Sequence, residues 1–319
     1  MKILRYVIVL VVIVSGGLWL ANHLMATESV EVDKGLRQGA PGKLIKLSAG
    51  ETHYSIEGPE DGEIVVLAAG ATLPMWVWKD LDKRLINAGY RVLKYDYYGR
   101  GYSDRPDLVY NLELYSKQLD ELTTSLIPNK KFHIVNLAFG SLVASDYLVR
   151  HPKKVISMIG IGPDGFGLEA PTSTRILLQL PKPVVNYIFS TLGTNILMAR
   201  IPKYSKDAGV IKELQALYRP ELNRKGFKRA LLSTVFNTPV GDSQELYHKV
   251  TATGIPVQMV WGAYDIVTPF PGNERVKNVL PNADIQIYDE MGHLPQFDRP
   301  EMFAGKIIAF LKKVRETRE

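Results

Sequence analysis

Eight short runs rich in β-branched and aromatic residues restrict this chain more than any other feature. They are KLIKL, HYSIE, EIVVLAA, RVLKYDY, FHIVN, ISMIGIG, VQMVWG and DIQIYD. Several are separated by stretches whose apolar residues recur at helical spacing, such as Leu112, Tyr115, Leu119, Leu122 and Leu126. Strands alternating with helices are joined by right-handed crossovers, so the expected fold is α/β: a mostly parallel eight-stranded sheet with helices on both faces. No helix separates the first two runs, which are expected to pair as an antiparallel edge.

One connection breaks the pattern. Between ISMIGIG and VQMVWG lie roughly 90 residues, far more than an ordinary loop, and most of Thr172–Val250 is helically patterned. An insertion at the carboxyl end of the sixth strand, at about 164–253, is expected to form a helical lid over the crevice where such sheets place their ligands. Its segment from Pro183 to Ala199 is uncharged and bounded by Lys182 and Arg200, which favours an apolar or acyl small-molecule ligand.

The amino terminus carries Lys2 and Arg5 and then no formal charge from Tyr6 to Thr27. At about 1.5 Å per residue that run just spans about 30 Å of hydrocarbon, so residues 1–27 are expected to be a transmembrane signal anchor in contact with membrane lipid. The basic residues before it, against Glu28, Glu31 and Asp33 after it, place the amino terminus in the cytoplasm and the folded domain, 43–319, on the other side. A secreted form after signal cleavage is the alternative. Residues 28–42, polar with Gly and Pro, read as a tether.

Composition excludes several chemistries. The chain has no cysteine, so disulfides, thiolate nucleophiles and Cys-ligated zinc are ruled out. No His/Asp/Glu group has metal-ligand spacing and no phosphate-cradling glycine loop enters a helix, so neither metal nor cofactor is expected. The net charge of +6 is not gathered into a basic stripe, and no nucleic-acid partner is expected.

Three motifs in order carry a resemblance. YDYYGRGYSDRP, with Asp96, Gly99, Gly101, Ser103, Asp104 and Pro106, is followed by WGAYDIVTP, with Gly262, Asp265 and Pro269, and by EMGHLPQFDRPE, with His293. From about Lys43 to Arg315 the chain resembles the α/β-hydrolase superfamily of serine hydrolases, lipases and esterases. The resemblance implies that Asp265 and His293 are the acid and base of a catalytic triad, the carboxylate fixing the imidazole's tautomer. It also implies a sharp strand-to-helix turn, G-x-S-x-G, that exposes a nucleophilic serine.

At that turn the chain reads VNLAFGS, so Asn136, Ala138 and Gly140 occupy the three defining positions. A methyl group can neither attack a carbonyl nor pass a proton to His293. Ser141 falls in the first helical turn and reads as a cap or packing residue. The oxyanion loop departs too, with Ala69 and Gly70 where the family writes His-Gly, although the backbone N–H groups of Ala71 and Phe139 are still expected to converge on an oxyanion. Three readings are open at this stage. The chain is a carboxylester or lipid hydrolase whose nucleophile has been replaced, and nearly inactive; or a natural pseudoenzyme that binds an apolar ligand or a partner; or a lyase or isomerase using the Asp/His pair as a general base.

Overall fold

The computed structural model describes residues 27–167, 176–177 and 179–318, together with Arg5, Tyr6, Val9, Ile13, Gly16, Gly17 and Leu20. The expected membrane anchor therefore lies almost wholly outside the described residues. Among those residues no helix is long and apolar enough to cross a membrane.

All eight expected strands form: β1 (Lys43–Leu47), β2 (Gly50–Glu57), β3 (Ile64–Ala68), β4 (Arg91–Tyr95), β5 (Phe132–Leu137), β6 (Val155–Ile161), β7 (Val257–Gly262) and β8 (Asp284–Tyr288). They build one sheet in the order β1-β2-β4-β3-β5-β6-β7-β8. β2 pairs antiparallel with β1 and with β4, and all later pairings are parallel. All of β3 is buried, as a strand covered on both faces requires. Val65 and Leu67 face a layer holding α2 (Leu81–Asn87) and α11 (Pro300–Glu316), while Ile64, Val66 and Ala68 face α3 (Leu112–Leu126) and α4 (Gly140–Arg150). Helix α3 starts where Asn111 Oδ1 accepts the Leu114 N–H and buries Tyr115, Leu119 and Leu122 along one stripe.

Between β6 and β7 come α5 (Lys182–Met198), α6 (Ala208–Leu222), α7 (Phe227–Asn237) and α8 (Gln244–Ala252); α9 (Asn273–Val279) and α10 (Pro295–Asp298) follow β7 and β8. Helices α5, α6 and α7 pack on one another, whereas α8 packs on α4 in the layer covering the sheet. Helices α5 to α7, from Lys182 to Asn237, lie within the 164–253 expected for the lid.

The stretch expected to be a free tether is docked. It forms α1 (Lys34–Gln38), whose Arg37 is an almost buried cation paired with Glu51 and Asp104. Val30 makes a parallel bridge to Arg224, Ser29 N–H donates to Asn223 O, and Thr27 N–H donates to Ser190 O on α5. Glu28 caps α7 from outside: its carboxylate accepts from Gly226 N at 3.0 Å and from Lys228 N at 2.6 Å. Local composition gives no sign of these bonds because every partner lies far along the chain.

The residues of YDYYGRGYSDRP mostly build the scaffold. Asp96 accepts from Met75 N and His53 Nδ1, each at 2.7 Å, and from Tyr102 N at 2.9 Å. Burial alone would raise its pKa, but His53 and the two amides hold it below the ordinary value. Gly101 has φ 52, and a Cβ there would lie 1.9 Å from the Asp96 carboxylate. These contacts fix the chain after the oxyanion loop, where the 3-10 helix Met75–Trp78 begins.

Glu28→Ala removes the one side-chain cap of α7 found among the described residues. Burial raises the Glu28 pKa, so desolvation offsets part of the cap. The expected loss is about 1 kcal/mol, read by urea unfolding of the full chain in neutral detergent, with faster amide exchange in the first turn of α7.

Candidate active site

Strand β5 ends at Leu137 and α4 begins at Gly140, so the chain reverses within two residues. Ala138 sits in that turn at φ 48, a left-handed conformation that costs a residue with a Cβ about 1–2 kcal/mol. The turn is tied to the end of β6: Ala138 N–H donates to Ile161 O at 2.9 Å, and Asp164 N–H donates to Ala138 O at 3.3 Å. Gly140 is required, because a Cβ there would come within 2.5 Å of Ala69 O and 2.6 Å of Ala68 O. A Cβ on Gly70 would lie 3.9 Å from the Ala138 methyl, which places the oxyanion loop over the turn. Neither the Ala71 nor the Phe139 backbone N–H donates to an acceptor among the described residues.

Asn136 stands where a glycine was expected and is buried against the adjacent strand. Asn136 is paired with Gly160 on β6, and a Cβ on Gly160 would meet Asn136 Oδ1 at 3.4 Å and Met259 Sδ at 2.6 Å. Ser141 is fully buried and its Oγ donates to Asn136 Oδ1 at 2.6 Å, so it packs under the turn.

Asp265, after β7, and His293, after β8, come together. Asp265 Oδ2 accepts from His293 Nδ1 at 2.9 Å, while Oδ1 accepts from the amides of Val267 and Thr268 at 2.8 and 2.9 Å. Burial would raise the Asp265 pKa, yet His293 and these amides hold it below the ordinary value. Thr268 Oγ1 lies 3.0 Å from Asp265 Oδ2 and donates to Gly162 O at 2.7 Å. Gly162, next to Ile161, joins the pair to the turn: at φ 48, a Cβ there would strike Asp265 Oδ2 at 2.7 Å. The inserted bundle closes over the pair, since His293 N–H donates to Tyr204 O and the two rings are 5.3 Å apart.

Asp164 was not singled out by the sequence. Beside Ala138, its side chain makes no hydrogen bond or ion pair among the described residues. Burial is the main cause that pushes its pKa up to about 6, opposed by His293 and Arg200 and helped by Asp265. Two carboxyls near one histidine are therefore shifted in opposite directions, the pattern that separates acid from base roles. The only sequence cue was an Asp shortly after a strand's carboxyl end.

Residues 59–300 match the family described as serine aminopeptidase, S33. The monoacylglycerol lipase abhd6-A of Xenopus laevis is 27% identical over 210 residues, which is 63% of this chain and 61% of that protein. Human monoacylglycerol lipase ABHD6 is 24% identical with the same coverage of each, so the match spans about 61% of the length of these relatives. Among solved structures, a thermophilic esterase from Thermogutta terrifontis has a TM-score of 0.71 at 20% identity, covering 86% of this chain and 99% of that one. The enol-lactonase from Burkholderia xenovorans LB400 has a TM-score of 0.71 at 17% identity, covering 85% and 100%. The fold is that of the α/β-hydrolases.

Two substitutions test the geometry. Ala138→Gly relieves the left-handed strain and should stabilise the protein by up to about 1 kcal/mol in urea unfolding; a loss instead would mean the turn is not held as described. The raised Asp164 pKa means the folded state binds that proton more tightly than the unfolded chain. Stability is therefore present at low pH and lost as pH rises from the ordinary carboxyl range through about 6. Asp164→Asn should be more stable than the parent by about 1–2 kcal/mol at pH 7–8, with the gap closing towards pH 4.

Proposed function

Because the chain belongs to the serine aminopeptidase S33 family of α/β-hydrolases, we propose that its crevice is a carboxylester or lipid hydrolase site in which Ala138 occupies the nucleophile's place. The observation that carries this reading is Ala138 at φ 48 in the β5–α4 turn, tied through the end of β6 to the Asp265–His293 pair. The turn keeps a strained backbone suited to presenting a side-chain nucleophile, and the two free N–H groups of Ala71 and Phe139 suit a developing oxyanion.

Loss of the serine in a serine hydrolase costs about a millionfold in kcat, and remaining oxyanion donors leave about 10³–10⁴ over water. On this reading the chain as it stands turns esters over poorly and holds an acyl ligand under its lid, the α5–α7 bundle. Two curated relatives are named monoacylglycerol lipases, which supports an acyl ester of a lipid as the ligand class.

Membrane attachment is part of the proposal. The charge-free run from Tyr6 to Thr27 arrives at α5, where Thr27 is bonded to Ser190. Leu192 and Ile196 on that helix are exposed and it carries no charge after Lys182. An anchored lid with an uncharged outer helix suits ligands drawn from a bilayer.

Asp164 favours a second reading. With no nucleophile, His293 backed by Asp265 serves as base and Asp164 as the acid beside it, giving proton transfers worth about 10² to 10⁴ in rate.

The test is p-nitrophenyl ester turnover by the full chain in neutral detergent. The parent should be near background, Ala138→Ser should gain at least about a thousandfold, and Ala138→Ser/His293→Ala should lose that gain. Continued inactivity of a folded Ala138→Ser protein would defeat the hydrolase reading, and loss of any parental activity in both His293→Ala and Asp164→Asn would favour the second.

A further inference from the structure

Arg100 is one of two arginines in YDYYGRGYSDRP with no ion pair among the described residues, and it keeps a buried guanidinium nitrogen without a partner. Its side chain is almost completely buried, at 1% exposure. Nε donates to Ala71 O at 2.6 Å and Nη2 donates to Thr234 Oγ1 on α7 at 3.1 Å. The guanidinium carbon lies 5.7 Å from the centre of the Phe227 ring, at the start of the same helix. Nη1 is buried with no hydrogen-bond partner, and no carboxylate pairs with this arginine among the described residues.

Other cations nearby are treated differently, and Arg105, which also lacks an ion pair, donates from its two Nη groups to the carbonyls of Gly101 and Ser103. Arg37 holds Glu51 and Asp104, and Arg224 holds Glu221. An unanswered buried charge costs several kcal/mol, so chains rarely keep one without a use. This one stands between the oxyanion loop and the roof of the crevice. It holds the carbonyl of Ala71, the residue after the glycine that approaches the Ala138 methyl.

We propose that Arg100 is the anion-binding end of the ligand site, and that the ligand carries a free carboxylate that Nη1 receives when the α5–α7 bundle admits it. This rests on the crevice being the acyl site described above. A carboxylate monoanion matches the single charge of the Arg100 guanidinium. A carboxylate can also accept from the guanidinium's fork, which a neutral ester or alcohol terminus cannot do with comparable strength.

The test is calorimetric titration of the full chain in neutral detergent at pH 7 with sodium butyrate, and with 1-butanol as the neutral counterpart. Butyrate should bind saturably and butanol should not; Arg100→Met should weaken butyrate by at least about tenfold, and Arg100→Lys, which keeps a charge without the fork, by less. Equal binding of acid and alcohol, or unchanged butyrate affinity in Arg100→Met, overturns the proposal. If Arg100→Met fails to fold by circular dichroism, unchanged affinity in Arg100→Lys overturns it, since that variant also loses Nη1. The p-nitrophenyl ester assay separates this failure from that of the site: a His293-dependent Ala138→Ser hydrolase that binds no butyrate keeps the hydrolase reading and sinks the anion site. Arg100-dependent butyrate binding with no hydrolysis does the reverse.

Discussion

The rest of the structure depends on the close approach of two backbones at Gly140. With the carbonyls of Ala68 and Ala69 filling the space of a missing side chain, α4 can start directly against the end of β3. That contact forces the reversal after β5 and leaves residue 138 in the left-handed region. The loops after β3, β6, β7 and β8 are then assembled around that turn, through Gly70, Gly162 and the Asp265–His293 bond. A left-handed alanine has no polar side chain to recover any of the strain. The turn persists because its neighbours over-determine it.

The sheet was readable in the sequence because each strand is a short run of β-branched residues and the helices between them keep a strict period. Asp265 and His293 were readable through motif order, and their pairing at 2.9 Å agrees with it. What escaped is non-local. Nothing around Glu28 reveals an amide donor 200 positions away. Nothing around Asn136 shows that it is paired with Gly160 on the adjacent strand. Asp164 looked like an ordinary loop acid because its unusual proton affinity comes from burial beside groups far along the chain. Arg100 was hidden inside a motif valued for its glycines.

Charge inside this fold falls into two kinds. Asp96, Asp265 and Arg37 are buried with enough hydrogen bonds and opposite charges to remain ionised, and they hold loops in place. Arg100, buried, and Asp164, half-buried, have no ion pair among the described residues, and both border the turn or the loop that covers it.

Glu28 has a consequence for where the folding unit lies. The family match begins at residue 59, yet the amino-terminal turn of α7 is completed by a side chain 31 positions earlier, and α7 in turn holds Arg100 through Thr234. The boundary of the homologous region is therefore not the boundary of the cooperative one. A domain excised at the family's edge would lose a helix cap and the α1 clamp on Asp104, and a lid transplanted from a relative would arrive without the segment that seats it. Strap and lid form one packed unit, drawn from the amino-terminal segment and the middle of the chain.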